Sequence, residues 1–531
     1  MSNDVQVYLK PNVVVEPLIM RWYAWSHLIA PATAAMNTAF RHITIMESFI
    51  KSPALHAEAI RTPSLRGGPF LNYFPSEVDN IKVLLEETKA KQALQIKFAE
   101  GLKEAMRIVL KMGDGYSLSP VYSMLPEIVR GYVELFYTIG GGADLRIIEP
   151  LLYRSDIYNS SFQSSVIHQI NDDERTFSLS TPRLTRKDSI ELSRPFSDPI
   201  YDFLAELRYA PQTEKNVINN IGLSGDEVNI FRNFLTKVPP SCTSKEKSAY
   251  ARWRYFGHAC VLVEAPDGVN VLIDPVFAYQ NGSGPERFTL ADLPLNIDYV
   301  LLTHNHMDHV LLETLLALRP KIGTIVIPAG GGSLADPSLK LVLKACGFKK
   351  VVELATLDCI ISGDNKFTAL PFLGEHADLN IQTKAGWLVE SGGVSILFAA
   401  DSNNIEPRLY DILYPLVGKI DIIFIGLECA GAPLSWVYGA LLPRPLEQKK
   451  DNSRRLNGSD SSRALNVINS LKCKKVFVYA MGMEPWLSFI TSIDPGEDTI
   501  PNQNARDLLI ACKEQGIYAE RLYGSAEGQI L

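Results

Sequence analysis

Hydrophobic and polar positions change texture near residue 245. Before it, residues 77–112 combine strong helix formers with apolar residues at helical spacing, which predicts one amphipathic helix closed by Gly113 as a C-cap. Residues 128–139 read as another helix or apolar segment stopped by Gly140-Gly141-Gly142, and residues 198–207 as a second amphipathic helix. Residues 158–192 are polar and suit loops with short strands. Val238-Pro239-Pro240-Ser241-Cys242-Thr243-Ser244 breaks the composition and reads as a linker or boundary. Beyond it, short β-branched runs at 254–264, 269–273, 299–303, 323–327, 387–390, 394–399, 421–425 and 475–479 alternate with helical segments such as 311–318 and 338–346. Alternating strands and helices predict buried sheets flanked by helices, an α/β class.

Composition narrows the field. With 46% apolar and 21% charged residues the chain is an ordinary globular protein, which excludes a disordered tail, a collagen-like fibre and a small disulfide scaffold. Its 531 residues suggest roughly two to four domains. No uninterrupted apolar run reaches the ~18 residues a membrane span needs, and the first ten residues lack a secretory plan. The seven cysteines are scattered without a CxxC pair, so reduced, buried thiols in the cytoplasm are expected. A net charge of −7 argues against a general nucleic-acid binder.

Five of the nine histidines lie between 258 and 376, so the chemistry is expected late in the chain. Its centre is Thr303-His304-Asn305-His306-Met307-Asp308-His309, placed at the end of an apolar strand. His304 and His306 can converge on one metal ion, and Asp308 and His309 can turn toward a second. Imidazole and carboxylate ligands suit zinc, iron or manganese.

This HxHxDH pattern resembles the metallo-β-lactamase superfamily. Gly257-His258 and Asp274-Pro275 before it and Ala399-Ala400-Asp401 after it appear in the order of that fold. The resemblance covers about 246–531 and implies a C-terminal αββα sandwich beside a mixed α+β N-terminal domain at 1–245. Two departures stand out. Glu375 and His376 compete for a slot many superfamily hydrolases fill with His, and no His follows His376, so Glu428 is the natural substitute for a late one. Hard carboxylates favour iron in its higher oxidation state.

With THNHMDH, GEH, AADSN and GLECAGAP in order, the chain resembles a narrower family, the di-iron β-hydroxylases of nonribosomal peptide pathways such as that of chloramphenicol. That resemblance implies two iron ions, oxo- or hydroxo-bridged, with His304, His306 and Glu375 holding one, Asp308, His309 and Glu428 the other, and Asp401 bridging. Glu375 is also the residue assigned to catalysis. It further implies O2 as co-substrate, an external electron donor, a carrier domain presenting an aminoacyl-phosphopantetheine thioester, an aromatic amino acid or leucine as substrate, and a homodimer. The N-terminal domain is expected to serve dimerisation and carrier or substrate recognition. The alternative is a dinuclear zinc hydrolase of the superfamily; a non-enzymatic scaffold is the third reading.

Several residues stay open at this level. His258 is either an orienting partner of a ligand or a core histidine, and His376 a supporting group or an alternative ligand. Cys429 reads as a buried inert thiol, and Tyr479 and Trp486 as core rather than pocket residues. The basic loop 443–458, with Arg444, Lys449, Lys450, Arg454 and Arg455, faces an acidic partner or solvent.

Overall fold

The β-branched runs of the second half form two seven-stranded sheets packed face to face. The computed structural model describes residues 5–112, 114–240, 250–282, 284–493 and 496–529. One sheet runs Val351–Leu354, Ile322–Pro328, Ile297–Leu301, Asn270–Ile273, Val261–Glu264, Arg252–Tyr255, Ala526–Gln529. The other runs Cys359–Ser362, Asn365–Leu370, Gly386–Ser391, Val394–Phe398, Ile422–Gly426, Lys475–Tyr479, Tyr518–Arg521. Asn270–Ile273, Ile297–Leu301, Ile322–Pro328 and Val351–Leu354 are mutually parallel, so their carboxyl ends share one edge.

Successive side chains of a strand point to opposite faces, and here both faces are buried. Val271 and Ile273 enter the core between the sheets while Leu272 enters the outer core; Ile422 and Phe424 point inward while Ile423 and Ile425 point outward. Trp253, Tyr255, Trp387, Phe398, Phe424 and Phe477 fill the space between the sheets. Helices Ser461–Ser470 and Ile500–Glu514 cover the outer face of the second sheet.

The outer face of the first sheet has a different cover. Leu262, Leu272, Val300 and Ile325 belong to one apolar core with Leu312, Leu315 and Leu343 of the flanking helices and with Trp22, Phe49, Phe98 and Leu102 of the N-terminal region. That region holds a four-stranded sheet (Trp22–Tyr23, Val13–Ile19, Gln163–Gln169, Ile190–Leu192), a three-stranded sheet, a hairpin and helices. A buried ionic network joins it to the sandwich. Arg175 lies 2.9 Å from Glu16 and 2.6 Å from Glu313, Arg183 lies 3.0 Å from Glu16, and the Tyr23 and Tyr279 hydroxyls donate to Glu313.

Two sequence expectations change. The helix of 77–112 is two helices, Val78–Lys91 and Ala93–Lys111, broken at Gln92 with φ −106° and ψ 23°. Each piece follows its own partner: the first packs on Ile43–Lys51, the second on Pro31–Asn37. Residues 133–137 form a strand rather than a helix, paired antiparallel with Ala143–Ile147 across the glycine turn. Its alternating burial and the Glu134–Arg146 cross-strand pair at 2.6 Å are strand features. The short strands expected among the loops of 158–192 are Gln163–Gln169, buried and central in its sheet, and Ile190–Leu192; Ser165 Oγ is 2.8 Å from the Tyr201 hydroxyl, and Gln163 Oε1 accepts from Phe196 N. Gly113 and Ser241–Ser244 of the linker lie outside the described residues.

The ionic network makes a stability prediction. Glu313→Ala leaves the Arg175 guanidinium without its nearest carboxylate in a buried setting, so unfolding in urea should show a loss of about 3–5 kcal/mol. A loss below about 1 kcal/mol would mean that water or Glu16 alone satisfies the arginine.

Candidate metal centre

The turn 303–309 leaves the carboxyl end of Ile297–Leu301, and Asp274 leaves the end of the neighbouring Asn270–Ile273. Asp274, fully buried, accepts from Thr303 N at 2.7 Å, from Thr303 Oγ1 at 2.5 Å and from His309 Nδ1 at 2.8 Å. The Thr303 hydroxyl proton is therefore committed to Asp274, and its oxygen is free to accept from His304 Nδ1 at 3.0 Å. Both rings thus carry their proton on Nδ1 and present the Nε2 lone pair on the other side.

Three further loops complete the cluster. Gly374-Glu375-His376 follows Asn365–Leu370, with Gly374 at φ 69° and Glu375 at φ 65°. A Cβ on Gly374 would meet Asn403 Cβ at 2.6 Å, so the loop requires glycine. Asp401 follows Val394–Phe398, and Glu428 follows Ile422–Gly426. His306 Nδ1 lies 2.7 Å from Glu375 Oε1, and His304 Nε2 lies 3.9 Å from Glu375 Oε2. Asp401 Oδ2 stands between the two halves, 4.0 Å from His304 Nε2 and 3.3 Å from His309 Nε2. Asp308 Oδ2 is 3.9 Å from His309 Nε2.

The donor atoms of His304, His306 and Glu375 fall within 4.8 Å of one another, as do those of His304, His309 and Asp401 and those of His258, Asp308 and His309. His304 Nε2, His309 Nε2 and Asp401 Oδ1 are buried without a hydrogen-bond partner. Buried polar groups are ordinarily satisfied, and metal ions would satisfy this convergent set. The electrostatics agree. Burial opposes charge on His309, yet Asp401, Asp308 and Asp274 raise its pKa well above the ordinary value. Burial likewise opposes ionisation of Glu375, but the charges of His306 and His376 hold its carboxyl below the usual range. The site therefore attracts cations.

Glu428 stands apart from the three groups. Its Oε1 accepts from Gly431 N at 3.0 Å and Ala430 N at 3.3 Å, and burial raises its carboxyl to about 7, aided by Asp401. It shares with Asp308, Glu375 and Asp401 the wall of a cavity of about 700 Å³. Trp25, Leu179, Val437, Met483 and Ile490 are among the apolar residues of that wall. Two of these, Trp25 and Leu179, come from the N-terminal region.

Residues 8–239 match the model of the di-iron non-heme β-hydroxylase N-terminal domain, and residues 269–431 match a β-lactamase superfamily domain. Over 527 residues the chain is 37% identical to 4-amino-L-phenylalanyl-[CmlP-peptidyl-carrier-protein] 3-hydroxylase of Streptomyces venezuelae, covering 97% of this chain and 98% of that protein. This chain belongs to the di-iron β-hydroxylase family. The crystal structure of CmlA, a di-iron β-hydroxylase from Streptomyces venezuelae, superposes on the hydroxylase with a TM-score of 0.91 at 35% identity, covering 99% of this chain and 100% of that one. A metal-dependent hydrolase of Enterococcus faecalis is 43% identical over 54 residues, 10% of this chain and 22% of that protein. That match is local, whereas the β-hydroxylase match runs the whole length. Family membership implies two iron ions.

Other residues of the hydroxylase take defined places. Tyr438 bonds His306 through its hydroxyl, 3.2 Å from Nε2; it is 132 positions away and no local sequence signal points to it. His376 places Nδ1 2.7 Å from Glu375 Oε2 and joins none of the three donor groups. Cys429 is half-buried rather than buried, its thiol pushed up to about 11 by burial, and it too joins none. Tyr479 and Trp486 are buried core residues; Tyr479 accepts from Ala400 N beside Asp401. In the basic loop, Arg455 lines the cavity and donates to Ala430 and Gly431 carbonyls, while Lys449 and Lys450 are exposed.

Asp274 touches no metal donor atom yet sets two of them. Asp274→Asn should weaken metal retention about 10- to 100-fold. Metal content after graded chelator challenge checks this, and unchanged retention would contradict the orienting role.

Proposed function

We propose that the hydroxylase inserts one atom of O2 at the β-carbon of an amino acid held as a thioester on the carrier domain of a nonribosomal peptide synthetase. The observation that carries this reading is the end-to-end similarity to a hydroxylase whose name specifies a carrier-bound aminoacyl substrate. The donor set agrees: carboxylates replace any histidine after His376. In this reading His304, His306 and Glu375 hold one iron, Asp308, His309 and Glu428 the other, and Asp401 bridges. Two iron ions, when bound, supply the O2 activation that amino-acid side chains lack.

The reaction needs two electrons and two protons besides O2: one oxygen atom enters the C–H bond and the other leaves as water. The chain carries no flavin or nicotinamide fingerprint, so the electrons come from an external donor. The protein's own groups orient and enclose. Asp274 and Thr303 fix two imidazoles, Tyr438 supports the third, and Arg455 pins the Glu428 loop. Trp25, Leu179, Val437 and Ile490 exclude water from one side of the cavity and suit an aromatic or leucine side chain. Because Trp25 and Leu179 lie in residues 1–245, that region contributes to substrate recognition; carrier docking and pairing of two copies are assigned to it in the same proposal.

The test is direct. Protein purified from metal-balanced medium should hold two irons per chain, and with an aminoacyl-loaded carrier, a reductant and ¹⁸O2 the amino acid should gain one labelled oxygen. Glu375→Ala and Glu428→Ala should each lower iron content and abolish the product. Two zinc ions and no oxygen uptake would refute the function; full iron content in either variant would refute that residue's assignment.

A further inference from the structure

His258 stands beside the cluster without an assigned role. Its backbone is held in the left-handed region at φ 51°. Such a conformation persists in a non-glycine residue only when its surroundings impose it. Here they do. His258 N donates to Glu484 Oε1 at 3.1 Å, and the Tyr255 hydroxyl bonds the same oxygen. The His258 carbonyl accepts from Ala480 N at 2.8 Å. The preceding Gly257, at φ 104°, packs so closely on Trp486 that a Cβ would lie 2.6 Å from its ring. The segment after Lys475–Tyr479 therefore clamps His258 at both ends of its backbone.

The ring is clamped too, and this decides its chemistry. Gly482 N donates to His258 Nδ1 at 3.2 Å. A nitrogen that accepts an amide proton carries none of its own, so the neutral ring is protonated on Nε2. Nε2 is buried, makes no aligned hydrogen bond, and stands 3.2 Å from Asp308 Oδ2. His304 and His309 show the opposite arrangement: each meets an acceptor at Nδ1 and presents a bare Nε2. Although the donor atoms of His258 lie as close to Asp308 and His309 as those of a ligand would, its Nε2 holds a proton where a ligand needs a lone pair.

We propose that His258 is a positioning residue for Asp308: its Nε2–H holds the carboxylate in the orientation that the second iron requires and draws charge from it. This rests on the di-iron reading above. Two variants separate the functions of the ring. Gln places its amide nitrogen where Nε2 stood and keeps the donor toward Asp308, but loses the acceptor for Gly482. Asn places its carbonyl oxygen where Nδ1 stood and keeps the acceptor, but loses the donor.

The experiment measures iron per chain after chelator challenge, the midpoint potential of the cluster and thermal unfolding, for wild type, His258→Gln and His258→Asn. The proposal expects His258→Gln to hold both irons near the wild-type potential. It expects His258→Asn to bind the second iron about 10- to 100-fold more weakly, with a lower potential, because Asp308 then donates more charge. The reverse order would show that the ring serves only to anchor Gly482 and would overturn the proposal, as would wild-type behaviour in both variants. Nitrogen hyperfine spectroscopy of the half-reduced cluster adds a further test: three coordinated imidazoles are expected in the wild type, and a fourth that disappears in His258→Asn would make His258 a ligand and overturn the proposal. A wild type without two irons would instead refute the underlying function.

Discussion

One buried carboxylate organises the chemistry. Asp274 accepts three hydrogen bonds in a site without water exposure: the Thr303 amide, the Thr303 hydroxyl and the His309 ring. The first two fix the turn that leaves the strand; the third, and the relay through Thr303 to His304, fix the tautomers of two imidazoles. Without that anchor the metal-facing nitrogens would be a matter of ring rotation. The constraint extends upward through the fold, because Asp274 and Thr303 can meet only if Asn270–Ile273 and Ile297–Leu301 run parallel in register, with Ile273 beside Leu301.

The same logic explains the size of the N-terminal region. A sheet buried on both faces needs a cover on each. The second sheet uses helices of its own half; the first shares its outer core with Trp22, Phe49 and Phe98. The N-terminal residues are therefore part of the sandwich's packing as well as of the cavity wall, which Trp25 and Leu179 line together with the carboxylates. The Glu16–Arg175–Glu313 network fixes the registry of the two halves in a setting where unpaired charge is costly.

Much of this was legible in the sequence. Strand ends are readable because β-branched runs stop at polar chemistry, and Thr303 to His309, Glu375 and Asp401 all stand just past such ends. The structure brings these residues together, with Glu428 on the same cavity wall. What stayed hidden depends on distant partners. The role of His258 is decided by the amide of Gly482, and Tyr438, at the end of the helix Leu434–Tyr438, meets His306 from 132 positions away. The break at Gln92 follows from two helices packing on different neighbours, and the strand at 133–137 from its pairing with 143–147. Helical spacing within one segment cannot report any of these.

The central claim is that loops from both sheets hold two irons on two distinct donor sets joined by Asp401. Anomalous diffraction at the iron edge from crystals grown with iron tests it most directly. The account predicts two peaks, one against His304 Nε2, His306 Nδ1 and Glu375, the other against His309 Nε2, Asp308 and Glu428, with Asp401 between. A single peak, or signal at the zinc edge alone, would contradict it.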